Sequence, residues 1–169
     1  MLQFDLGRLE RNRKLRLDEA VPPDDPMWQG SGLTLSRPLD VHLEAQQAGP
    51  DVVVRGGIEG EAELSCRRCL RDVRVEIDED VAALFRSGVD RAEAEEEEVY
   101  PLPPRGRDLD LRDLVREQVL LAVPQYAVCS EACRGLCPRC GANLNEGECA
   151  CGESEVDDRW GPLRKLKLD

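Results

Sequence analysis

The chain has 169 residues, a formal charge of −12 and eight cysteines. That length suits one domain of ordinary size with a small appended module, and an apolar content of 41% is enough for a core although aromatics make up only 4%. No run of about 18 apolar residues is present to span a membrane, the opening MLQFDLGRLERNRK lacks the apolar centre of a secretory leader, and strong acidity works against nucleic-acid phosphate as a default partner.

Residues 18–32, DEAVPPDDPMWQGSG, read as a loop because prolines, glycines and acids break any period. From Leu39 the pattern turns to strands, with Val41, Leu43 and Ala45 alternating with His42 and Glu44. Residues 46–51 predict a turn. Val52 then starts a longer strand, which Gly56-Gly57 is expected to kink. Beyond the glycines Ile58, Ala62, Leu64 and Cys66 share one face, and Glu59, Glu61, Glu63 and Ser65 the other. After Cys66-Arg67-Arg68-Cys69 the alternation resumes, with Val73, Val75 and Ile77 against Arg74, Glu76 and Asp78. Two such strands make a hairpin whose tip carries two thiols.

Residues 86–107 predict a spacer, acidic first and proline-rich after. Its acidic loop, 90–98, reads as a solvated segment or as a surface for a basic partner. A helix is expected over 110–123. Asp110 would cap it, with Asp113 three residues on. Leu111, Leu114, Val115 and Val119 fall on one face, and Leu120, Leu121 and Val123 widen the stripe, so much of the helix surface is expected to pack on the sheet. Pro124 ends it. The expected class is α+β: a mainly antiparallel sheet or partial barrel with one packed helix and a cysteine-rich, zinc-binding C-terminal segment. The expected division is 1–128 for the β-rich part and 129–169 for the tail packed on it.

The eight cysteines form four close pairs, Cys66/Cys69, Cys129/Cys133, Cys137/Cys140 and Cys149/Cys151. In a reducing cytosol such pairs are metal ligands more often than disulfides, and Cys-x-x-Cys holds two thiolates near one tetrahedral zinc. Cys137, Cys140, Cys149 and Cys151 lie close enough to close one site locally. Cys66 and Cys69 would then meet Cys129 and Cys133, brought back by the helix. Other pairings, including a single zinc, stay open. Four-thiolate sites leave no open coordination position, so their role is structural.

Charge is uneven along the chain. Residues 76–98 hold ten acids against Arg86 and Arg91, a charge of −8 that leaves −4 for the other 146 residues. Arginines crowd the thiols: Arg67, Arg68 and Arg71 at the hairpin, Arg134 and Arg139 in the tail. They either balance thiolate charge or meet phosphate. Trp160, among Arg159, Arg164 and Lys165, either docks the C-terminal segment or stacks on a base. His42, the lone histidine, reads as plain surface.

SCRRCL at 65–70, DLDLRDLVREQVLLAVP at 108–124, CRGLCPRCGANLN at 133–145, CAC at 149–151 and DDRWGPLRKL at 157–166 together resemble the YceD family of large ribosomal RNA subunit accumulation proteins. The family ending usually reads Asp-Pro-Arg where this chain has Asp157-Asp158-Arg159. The resemblance implies a bacterial, cytoplasmic, non-enzymatic factor for 23S rRNA accumulation and large-subunit assembly. Its partner would be precursor 23S rRNA or a large-subunit ribosomal protein, with no membrane and no small-molecule substrate. Two other readings compete. One is a zinc-stabilised adaptor that grips a basic ribosomal protein through the acidic loop. The other is a thiol redox protein using Cys66 and Cys69, whose flanking arginines would lower a thiol pKa. Hydrolase motifs of the GxSxG and HExxH kinds are absent.

Overall fold

The computed structural model describes residues 1–104 and 108–151. Eight strands and three helices follow one another: β1 (Gln3–Asp5), α1 (Leu6–Asn12), β2 (Lys14–Val21), β3 (Thr34–Leu35), β4 (Leu39–Ala48), β5 (Asp51–Ser65), β6 (Asp72–Arg86), α2 (Arg91–Glu96), β7 (Tyr100–Pro101), β8 (Asp108–Asp110) and α3 (Arg112–Ala122). The main sheet runs in the order β2-β4-β5-β6-β7, with β3 added to β5. All its pairings are antiparallel except the short β6–β7 contact. β1 and β8 form a separate two-stranded sheet. The α+β, mainly antiparallel class expected from the alternating patterns is the class observed.

The β5–β6 hairpin is the longest strand pairing among the described residues. Each strand has 15 residues, and they pair from Val52↔Phe85 out to Ser65↔Asp72. Only the first part of β5 is backed by β4, over Asp51–Glu59. Beyond Glu59 β5 is backed by β3 at Ala62–Glu63 and runs on to the thiols, a stretch called the arm. Strands β4 and β5 bury alternate residues: Val41, Leu43, Ala45, Val52, Val54, Ile58 and Ala62 enter the core. Helix α3 closes it with Leu114, Val115 and Val119, joined by Leu9 of α1 and Leu109 of β8. Each fully buried Leu or Val of this set contributes about 1.5–3 kcal/mol of transfer free energy.

Several expectations need correction. Residues 18–21 are not loop but the end of β2, paired with Leu39–His42. Residues 26–28 form a 3-10 turn capped by Asp25, and Trp28 within it is buried, its Nε1 donating to the Pro22 carbonyl. The turn expected over 46–51 shrinks to Gly49-Pro50, because β4 and β5 pair right up to Ala48↔Asp51. The 86–107 spacer is partly ordered. Asp90 and Glu93 build a capping box for α2, and Arg86 pairs with Glu97. The expected capping of α3 moves by one residue. Leu111 is the N-cap, and the Asp110 carboxylate accepts from the Arg112 amide at 3.0 Å. The apolar stripe of α3 is narrower than expected, since Leu121 is 74% exposed.

Strand β5 passes through Gly56-Gly57 without a break. The glycine is needed for a different reason: a Cβ on Gly56 would lie 1.9 Å from the His42 carbonyl oxygen of β4, whereas at Gly57 the nearest atom is 3.9 Å away. Strand β4 thus presses its backbone against β5 here. Gly56→Ala should cost about 2 kcal/mol or more in urea unfolding, while Gly57→Ala should stay within about 1 kcal/mol. Equal effects would contradict the close approach.

Candidate metal centres

The eight sulfurs gather at two points. Cys66, Cys69, Cys129 and Cys133 have their sulfurs within 4.8 Å of one another, and so do Cys137, Cys140, Cys149 and Cys151. A tetrahedral zinc with bonds of about 2.3 Å places its sulfurs about 3.8 Å apart. The separations are 3.9 Å for Cys66–Cys133, 3.6 Å for Cys69–Cys129 and 3.4 Å for Cys137–Cys149. These are tetrahedron edges rather than disulfide bonds of about 2.0 Å. The donor set fits a thiophilic divalent cation such as zinc.

Two turns of one design supply the first half of each centre. In the hairpin turn, the Cys66 amide donates to Arg71 O (2.8 Å) and the Leu70 amide to Cys66 O (2.9 Å). In the tail, the Cys137 amide donates to Ala142 O (2.8 Å) and the Gly141 amide to Cys137 O (2.9 Å). The offsets from the first cysteine are the same. Both turns close on a residue of positive φ, Leu70 at 59° and Gly141 at 74°. The folded-back amides point at sulfur: Arg68 and Cys69 N–H reach Cys66, and Arg139 and Cys140 N–H reach Cys137.

Those donors set the acidity of the thiols. The amides of Cys129 and Cys69 bring Cys66 down to about 6, the first at 3.4 Å. The amides of Cys140 and Arg139 do the same for Cys137, again to about 6. Burial opposes ionisation of Cys133, but the Gly135 amide and the Asn145 side chain outweigh it and its pKa is lowered. Cys129 donates to Cys133 and Cys69 and is pushed up to about 12. Cys151, beside Cys140, is likewise pushed up to about 12. Each centre therefore joins a thiol of lowered pKa to one of raised pKa, whose proton an entering cation would displace. A closed shell of four thiolates holds a metal structurally and leaves no position for substrate.

The two centres differ in reach. The Cys137 centre closes within 15 residues of chain. The Cys66 centre joins residues 60 and 67 apart, from the hairpin tip to the segment that follows α3. Its sulfurs form a buried cluster apart from the main core, with Val73 and Leu136 against it. The Arg67 amide donates to Ala127 O (2.9 Å) and the Leu136 amide to Arg68 O (3.0 Å), so backbone from both sides is locked at this point. Gly135 is required where they meet. Its φ is +73°, and a Cβ there would stand 2.9 Å from Arg68 O.

Of the arginines singled out in the sequence, Arg67 and Arg68 are built into this junction. Arg67 donates to Gln125 O (3.1 Å) and lies over the Tyr126 ring, 4.7 Å from its centre. Arg68 donates to Glu131 O (3.0 Å) and Cys133 O (3.1 Å). Arg139 donates to Cys151 O (3.1 Å), and Arg71 approaches Glu146 at 3.7 Å. Arg134 uses its amide on Asn145 and keeps an exposed side chain. Trp160 lies outside the described residues. His42 is on the surface of β4, 2.7 Å from Asp18, whose hydrogen bond raises its pKa.

Sequence reasoning missed the asparagines. Asn145 donates to Cys133 Sγ (3.4 Å) and accepts from the Arg134 amide (2.7 Å), and Asn143 holds Asn145 in place at 2.8 Å. The only signal was their position between cysteine pairs in CGANLN, where Asx side chains bond local backbone.

Two outcomes test this geometry. Loading the metal-free chain at pH 8 should release at least one proton per centre, because Cys129 and Cys151 hold theirs to about 12; indicator dye in weak buffer reads this, and loading without proton release would contradict it. Gly135→Ala should weaken metal retention against a chelator by about tenfold or more. Gly147→Ala should not, since a Cβ there meets nothing within 4 Å.

The model of the family described as large ribosomal RNA subunit accumulation protein YceD matches residues 54–167. The chain is 39% identical over 71 residues to the large ribosomal RNA subunit accumulation protein YCED homolog 1, chloroplastic, of Arabidopsis thaliana, covering 42% of this chain and 22% of that one. It is 31% identical over 131 residues to an uncharacterized protein of Mycobacterium tuberculosis, covering 76% and 61%. The chain thus spans less than two thirds of the length of these relatives. No solved structure matches it. No helix among the described residues is long and apolar enough to cross a membrane. With a match over more than half its length, and with both cysteine knuckles inside that match, the chain belongs to the YceD family of large ribosomal RNA subunit accumulation proteins.

Proposed function

We propose that this chain is a non-enzymatic factor for 23S rRNA accumulation and large ribosomal subunit assembly in the bacterial cytoplasm, with a structural zinc in each cysteine centre. The observation that carries the reading is the pair of closed four-sulfur centres within a chain of this family. Such centres hold shape and carry no chemistry. Residues 129–169 act as a tail that zinc clamps to the β-rich part, 1–128. Zinc in model fingers contributes about 10–16 kcal/mol to folding, which suits a loop-rich segment whose described part has no helix or strand of its own.

The partner is precursor 23S rRNA or a large-subunit ribosomal protein. For RNA, the residues with exposed guanidinium groups are Arg71, Arg134 and Arg139, with the outer edges of Arg67 and Arg68 beside them. Trp160 adds a stacking surface to that proposal. Charge supports the second reading, an adaptor for a basic ribosomal protein: on the arm, Glu59 stands opposite Asp78 and Glu61 opposite Glu76. The redox reading is the weakest, because Cys66 is fully buried and redox thiols work from accessible positions.

The test is the 23S to 16S rRNA ratio in cells lacking the protein. The ratio should fall, return with the unaltered chain and stay low with Cys129→Ser/Cys133→Ser. A normal ratio in the deletion strain would contradict the proposal.

A further inference from the structure

The β5–β6 arm has two unlike sides. Strand β5 is covered along its outer edge by β4 over Asp51–Glu59 and by β3 at Ala62–Glu63. Strand β6 pairs with β5 throughout, but on its other side β7 reaches only Phe85 and Arg86. Among the described residues no strand pairs with Asp72–Leu84 there. Among the described residues this row of backbone donors and acceptors has no strand partner, the usual template for an added strand.

The sheet face beside this edge is partly open as well. Glu79 follows the parity of Ile77 and Val81, which are buried, yet Glu79 itself is exposed. Val73 and Val75, on the same face, are half-buried, so alternate apolar positions remain partly open. A charge of this kind on the inner face of an edge strand guards against pairing with a copy of itself.

The charge also selects the occupant. The open strand carries Glu76, Asp78, Glu79 and Asp80, with Glu59 and Glu61 behind them on β5; Arg74, on the same strand, approaches Glu61 at 3.9 Å. Like charges face each other across the ladder at Glu61↔Glu76 and Glu59↔Asp78, pairings that destabilise a sheet by some tenths of a kcal/mol each. A second copy would bring the same acids to the same line. A lysine- or arginine-rich strand would relieve them.

We propose that the open edge of β6, from Arg74 to Asp80, takes up an extended, lysine- and arginine-rich segment of a protein partner as an added strand. This rests on the adaptor reading and names its surface, moving it from the acidic loop, most of which is helix α2, to the hairpin arm. Backbone hydrogen bonds supply affinity, and the acids supply sign and selectivity.

The probe is a short peptide alternating lysine with threonine, added to the metal-loaded full chain and followed by amide hydrogen exchange. Those amides of Arg74–Asp80 that face away from β5 should slow on binding. The same peptide N-methylated on alternate amides should bind about tenfold or more weakly, since it keeps the charge and loses the ladder. Glu76→Lys/Asp78→Lys should also weaken binding about tenfold or more; it removes like-charge pairs and so leaves the fold intact. Equal binding of the methylated peptide would overturn the proposal in favour of plain charge attraction. Protection that rises with protein concentration alone would overturn it in favour of a second copy. An unchanged edge with RNA bound at the arginines would overturn it in favour of the nucleic acid. None of these outcomes alters the 23S rRNA ratio, which tests the ribosomal reading separately.

Discussion

The sulfur of Cys66 is where the two parts of the molecule meet. It sits at the end of a 15-residue strand, accepts the Cys129 amide from across the chain, and lies 3.9 Å from Cys133. Without that junction the hairpin arm would end in a free turn, and the segment after α3 would have little to fold against. Apolar burial among the described residues does not replace it, since the cluster at this point consists of Cys66, Cys69 and Cys133 with Val73, Cys129 and Leu136 packed against them. The main core is elsewhere, under α3. A cation held by these thiolates would do at the tip what leucines do at the base.

A hierarchy follows. The sheet and α3 can form from apolar pattern alone. The knuckles form from local hydrogen bonds, which is why Cys66-Arg67-Arg68-Cys69-Leu70 and Cys137-Pro138-Arg139-Cys140-Gly141 adopt one turn despite unlike inner residues. Leu70 takes the left-handed conformation that glycine occupies in the second copy, a strain of about 1–2 kcal/mol carried by a residue that is also exposed. Only the union of the two knuckles with Cys129, Cys133, Cys149 and Cys151 requires the cation. Arg67 and Arg68 then serve the union with their donors on Gln125, Glu131 and Cys133. Their first duty is architectural, and the surface they leave for a partner is smaller than a count of charges suggests.

Much of this was legible in the sequence because period two and period 3.6 are strong signals. The β4, β5 and β6 faces and the Leu111, Leu114, Val115, Val119 stripe came through that way, as did the hairpin with thiols at its tip. The misses have physical causes. α1 is seven residues long, too short to show an amphipathic period. β2 carries Arg16, Asp18 and Glu19 on a strand with few buried residues, so its alternation is faint. α2 is held by its Asp90–Glu93 capping box rather than by burial, and its run of glutamates reads as solvated loop. At the metal centres the cysteines announced themselves. Asn145 and Gly135 did not, because their roles depend on which backbone they approach in three dimensions. The open edge of β6 was equally invisible, since no local pattern says which strand lacks a neighbour.

The central claim is that a cation at Cys66, Cys69, Cys129 and Cys133 locks the hairpin tip to the following segment while the sheet stands on its own. Native-state hydrogen exchange on metal-loaded and metal-free protein tests it most directly. The amides of Arg67 and Leu136, bonded to Ala127 O and Arg68 O across the junction, should lose protection together when metal is removed, while the amides of β4 and β5 in the main core keep theirs. Protection at Arg67 and Leu136 that survives complete metal removal would contradict the account.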